Sequence, residues 1–333
     1  MRRNDLRLAP DLPQAHLAIG SWHYQARGDY PRALAELRIA LDGMPNDAEV
    51  WARIGQVTRR MGNWDESVKA HEKTTQLDPR NAGLFKELGV TYMWMHRYPE
   101  AIAAYDRALS LAPDIWLPQL YKGLSYHRWK QQLDTLRTVL RSRAWSPTDG
   151  DWTIYALDLM YWDRKADSMV QISKTARAGV FEGQTFFVPA SLYAAWGHQL
   201  RGDSLAALGA FDSACVFLDS AIKEHADDER IHAARGLALA GLGRRDEALR
   251  EARWLQRSVP YREDKAQGGN VVAEARARIL AQLGDADGAV DEIESLLARP
   301  SHLSVHTVRL DPHWDPIRSH PRFRAALAKF AVR

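Results

Sequence analysis

The chain has 333 residues, of which 26% are charged and 46% hydrophobic, and its formal net charge is +3. This is the composition of an ordinary globular protein, and so small a net charge gives no electrostatic case for nucleic acid or an anionic membrane. A single cysteine, Cys215, excludes an intramolecular disulfide and fits a reducing compartment, so a cytoplasmic location is expected.

From the N-terminus, Met1 to Gln14 is polar and basic and lacks the apolar core of a secretion signal. Leu6-Arg7-Leu8-Ala9-Pro10 has the pattern of a last helical turn followed by a stop, so residues 1–13 read as a partial repeat or an N-terminal extension. On the first of these readings the chain begins inside a repeat, as the C-terminal part of something longer. Nowhere does an apolar run approach membrane-spanning length.

Ala48 to Ile115 consists of two copies of one 34-residue unit. Trp51, Ile54, Gly55, Gly62, Ser67 and Pro79 in the first copy correspond to Phe85, Leu88, Gly89, His96, Ala101 and Pro113 in the second. Positions 4, 7, 8 and 11 of the unit fall on one helical face, and 20, 24 and 27 on a second. The small residues at positions 8 and 20 let two helices approach closely, and a large side chain at position 24 fills the space beside that contact. The proline stops the second helix. Pro45, Pro79, Pro113 and Pro147 are each 34 residues apart, so the period runs unbroken from 14 to 149 as four repeats. The fourth has a degenerate second helix. Residues 150–187 read as a divergent fifth repeat, with helices over Asp151–Leu157 and Ser168–Ala178 and a loop over Glu182–Pro189. Three further repeats with longer linkers occupy 188–301. The Pro-broken stretch Leu310–Pro316 cannot be one helix. Phe323, Leu327 and Phe330 share one side of a terminal helix, so 302–333 is expected to cap the last apolar face.

These residues, at this fixed period, resemble the tetratricopeptide repeat family. The resemblance implies an all-α fold, an α-solenoid superhelix of about eight helix-turn-helix repeats. The closing segment, Val308 to Arg318 with Pro321-Arg322-Phe323, resembles the end of bacterial multidomain signalling proteins in which such an array follows a serine/threonine kinase, an adenylate cyclase or a winged-helix regulator. No catalytic or DNA-binding domain is contained in this chain, so no such activity is carried over.

In that family the first helices of successive repeats line a concave groove. The matching positions are Trp22 and Gln25 in repeat one, and Arg53, Gln56, Arg59 and Arg60 in repeat two. Repeat three supplies Lys86, Met93 and Trp94, and repeat four Tyr121, Leu124, His127 and Arg128. Repeats five and six add Asp158, Tyr161, Trp162 and Trp196. An aromatic groove with several cations suits an extended peptide or helix carrying acidic and apolar residues. The Lys and Asn clamp with which some members hold an acidic chaperone tail is absent: Ala52 and Gln56 stand there in repeat two, and Lys86 is followed by Val90 in repeat three.

No phosphate-cradling Gly-rich loop, zinc helix or kinase catalytic loop is present, and no cofactor or metal is expected. His302, His306 and His313 with Asp311 and Asp315 read as solvated side chains in a Pro-broken segment rather than a metal site. Cys215 falls on an apolar helix face as a buried structural thiol. The expected function is therefore non-catalytic: a protein-binding scaffold. RNA binding by two-helix repeats is the second reading, disfavoured by the low charge, and small-molecule or lipid capture in the groove is the third.

Overall fold

The computed structural model describes residues 12–142, 150–174 and 179–331. The N-terminal partial turn, the Pro147 boundary and the end of the expected 168–178 helix lie outside the described residues. Nineteen described α-helices follow one another in packed pairs, an all-α repeat solenoid. Two lobes are distinguishable: the described parts of Met1–Ser125 with Glu263–Ala266, and of Tyr126–Arg262 with Gln267–Arg333.

Lobe one holds α1 (Pro13–Trp22), α2 (Tyr30–Gly43), α3 (Ala48–Met61), α4 (Trp64–Leu77), α5 (Ala82–Trp94), α6 (Tyr98–Leu111) and most of α7 (Trp116–Lys130). A π-helical turn, His23–Arg27, extends α1. Short polar side chains start the helices: Asp47 accepts from the Glu49 and Val50 amides at the head of α3, and Asn81 from Gly83 at the head of α5. At the reversals, Gly62 has φ 82° and His96, at the same position of the next repeat, φ 60°. Glycine takes the left-handed region without strain, whereas His96 is held there by its surroundings, with its ring stacked on Tyr98 at 5.8 Å. Ala33, Leu37, Val50, Ile54, Val57 and Ala70 form a core between α2, α3 and α4.

Lobe two begins with the end of α7 and holds α8 (Asp134–Ser142), α9 (Gly150–Trp162), α10 (Ala166–Ser173), α11 (Ala190–Leu200), α12 (Ser204–Glu224), α13 (Glu229–Gly241), α14 (Arg245–Arg257), α15 (Val259–Glu263), α16 (Gln267–Gln282) and α17 (Ala286–Ala298). α18 (Val305–Leu310), a 3-10 turn (Pro312–Ile317) and α19 (Pro321–Phe330) complete it. The stretch expected as a loop is a β-hairpin, β1 (Val180–Gly183) paired antiparallel with β2 (Phe186–Pro189), Phe181 opposite Val188. Val180, Phe181 and Phe186 to Val188 are strand formers either side of a two-residue turn, a local signal that the helical period masks.

α12 also departs from expectation. Its 21 residues reach a mean hydropathy of 1.6 over an 18-residue window, enough by length and composition to cross a membrane. Asp212 and Asp219 break the apolar run in the sequence. In the fold one face of α12, with Phe211, Cys215 and Leu218, enters the core, whereas Leu205, Leu208 and Val216 are exposed. Cys215 is buried, and burial pushes its thiol up to about 11. At the far end Trp314, Ile317, Phe323, Leu327 and Phe330 pack onto Ala273, Ala277, Leu280 and Leu296 of α16 and α17. The terminal segment thus covers an apolar face of the α16–α17 pair.

Candidate partner-binding surfaces

In lobe one the first helices α3 and α5 place the expected cations side by side, but each holds an internal carboxylate. Arg59 donates to Glu87 at 3.0 Å and to Thr91 at 3.1 Å. Lys86 lies 2.7 Å from Glu87. Burial opposes ionisation of Glu87, but Arg59 and then Lys86 outweigh it and hold the carboxyl at about 2. Arg53 donates to Gln56 at 3.2 Å and sits 3.6 Å from Glu49. Arg60 is buried, bonded to Asp264 at 2.6 Å. The sequence leaves these cations free for a partner; the structure neutralises them within the lobe. Met93 is buried beside the Tyr105 hydroxyl, and Trp94 and Tyr121 are half-buried. Trp22 is 51% exposed, with His23 edge-on at 5.0 Å, and Gln25 beside it is exposed.

Lobe two brings the remaining expected residues into two clusters. In the first, Tyr161 and Trp196 are buried and lie 5.9 Å apart. The imidazole of His313 stands edge-on to both rings at 4.7 Å. The terminal segment therefore covers the two aromatics that the sequence assigns to a ligand. Below them Tyr193 donates to Asp158 at 2.9 Å, and Arg278 bonds Glu274 at 2.8 Å and Asp311 at 2.9 Å. Burial raises Asp158 to about 7 against the opposing pull of Arg278. Asp311 also accepts from His313, and His302 from the same segment pairs with Glu274. Two histidines of one segment are thus drawn to different carboxylates, and among the described residues no group of three or more His, Cys, Asp or Glu is placed to hold a metal ion.

The second cluster joins the last turn of α7, the end of α9 and α18. His127 is fully buried with its ring 4.9 Å from that of Trp162. Burial, then the neighbouring Arg128 and His306, lower its pKa to about 3, so the ring is neutral. Arg128 presents buried Nε and Nη1 donors that have no acceptor. Sequence periodicity marks His127, Arg128 and Trp162 as first-helix positions. It does not bring His306 beside them, or His313 and Asp311 beside Tyr161, Trp196 and Arg278, because the terminal segment is outside the repeat and its fold-back has no periodic signal.

Residues 82–115 match the tetratricopeptide repeat family. The match covers one repeat. That repeat is the α5–α6 pair, the copy in which the period is fullest. Superkiller complex protein 3 of Mus musculus is 30% identical over 110 residues, 33% of this chain and 7% of that protein. Its Homo sapiens counterpart is 26% identical over 102 residues, 31% of this chain. The matched stretch thus spans only 7% and 6% of these relatives. Among solved structures, PilF of Pseudomonas aeruginosa aligns over 60% of this chain and 89% of its own, with 21% identity and a TM-score of 0.47.

Proposed function

We propose that this chain is a non-catalytic scaffold that binds a peptide or helix of a partner protein along the first helices of its repeats, as the docking arm of a larger signalling protein. Tetratricopeptide repeats generally mediate protein–protein interaction, and the observation that carries the finer reading is Trp22. A tryptophan that is half exposed on a first helix, with Arg27 5.8 Å from its ring and Gln25 exposed beside it, offers a large rigid contact area that the fold itself does not use.

Selection of random short peptides on the immobilised chain tests this. Enriched peptides should lose roughly 10-fold in affinity on Trp22→Ala, with thermal unfolding unchanged. Equal binding by the variant would remove Trp22 from the interface. The docking-arm part is read from the frame upstream of Met1: an in-frame kinase, cyclase or winged-helix domain supports it, and a stop codon immediately upstream removes it.

A further inference from the structure

Among the part-buried arginines described here, Arg59, Arg60, Arg230, Arg235, Arg276 and Arg278 each hold a carboxylate. Arg128 holds none. Its Nε and Nη1 are shielded from solvent and meet no acceptor. An unsatisfied buried donor costs about 1–3 kcal/mol, and more when the group is charged. The basic last turn of α7 suits the negative end of the helix dipole. That field does not supply an acceptor for two guanidinium nitrogens.

Among the described residues the neighbours of Arg128 bring no carboxylate, and the neutral His127 ring has one donor and one acceptor nitrogen. Both ring nitrogens of His127 lack a partner, as does Nδ1 of His306, whose ring also bonds the Trp129 backbone. Arg309, one turn further along α18, acts on His306 with the same sign. The nearest acid whose field reaches His127 is Asp311, already bonded to Arg278 and His313. Three elements thus converge on a small site that, among the described residues, holds the Arg128 guanidinium, no free carboxylate and an aromatic wall, Trp162.

We propose that Arg128 is the docking point for one carboxylate side chain of the partner peptide, with Trp162 receiving the apolar residue beside it. This rests on the protein-interaction reading above and gives it a chemical preference. Guanidinium matches carboxylate geometry bidentately. A nucleic acid backbone needs a row of cations to follow successive phosphates, whereas here the residue after Trp162 is an acid, Asp163, already paired with Arg137.

The peptides selected on the full chain provide the probe. They should be rich in Asp or Glu next to an aromatic or aliphatic residue. Binding to Arg128→Gln should be weaker by roughly 10-fold. Replacing the peptide's Glu by Gln should cost the same in the wild-type chain and nothing further in the variant, because both changes remove one interaction. The variant's melting temperature should stay level or rise, since an uncompensated buried charge has gone; a residue with only a structural role would lower it. Enriched peptides without acids, affinity within roughly twofold in the variant, or displacement of the peptide by a uridine oligonucleotide would each overturn the assignment. A selection that enriches no peptide removes the peptide-binding reading itself, and this docking point with it.

Discussion

A methyl group added to Gly89 would lie 2.5 Å from Cε1 of Tyr105. The two residues stand at positions 8 and 24 of one repeat, and the tyrosine ring occupies the space that the missing side chain leaves. In the preceding repeat Gly55 and His71 are related in the same way, with the imidazole 2.7 Å from the site of a Cβ. These two helix pairs are therefore closed by a glycine and a ring.

Gly89→Ala should destabilise lobe one. Tyr105 is fully buried and cannot swing away, so overpacking costs about 1–3 kcal/mol. That exceeds the gain of about 1 kcal/mol in helix propensity. Gly209, inside α12 with nothing within 4 Å of an added Cβ, gives the opposite sign: Gly209→Ala should stabilise. Thermal melts of the two variants check the pair, and a stabilising Gly89→Ala would mean that the α5–α6 contact is looser than the structure has it.

Glu87 sets an acid limit on lobe one. Its folded pKa of about 2 is below the ordinary 4.5, so its stabilisation is present above about pH 4.5 and is lost as pH falls towards 2. A displacement of that size is worth up to about 3 kcal/mol. Glu87→Gln should lower the melting temperature at neutral pH and have little effect near the acid end. A deficit of equal size at both ends would point to packing rather than ionisation.

Asp158 acts with the opposite sign in lobe two. Its pKa is raised by burial to about 7, so its contribution is fully present below its unfolded value near pH 4 and declines as pH rises through 7. Tyr193 donates to it, Arg278 favours its ionised form, and Asp311 and Glu274 oppose that form. Asp158→Asn keeps an acceptor for Tyr193 and cannot ionise. It should melt at a higher temperature than the wild type at alkaline pH and show no such advantage in mild acid. An advantage that is independent of pH would count against a buried, ionising Asp158.

The sequence by itself determined the repeat: its length, its helix pairs, the glycine-and-ring closure and the helix-stopping prolines. All of these are local or act between adjacent helices, so a fixed period displays them. It also marked Trp22, His127, Arg128 and Trp162 as first-helix positions. Only the tertiary structure decided which of these groups stay available. Arg59 and Arg60 meet Glu87 and Asp264, residues from other elements whose approach no period records. His313 covers Tyr161 and Trp196 because a non-repeating segment folds back onto the helices, and among the described residues Arg128 meets no carboxylate. Charge pairing across distant parts of the chain depends on three-dimensional placement, whereas a helical repeat is written in spacing alone.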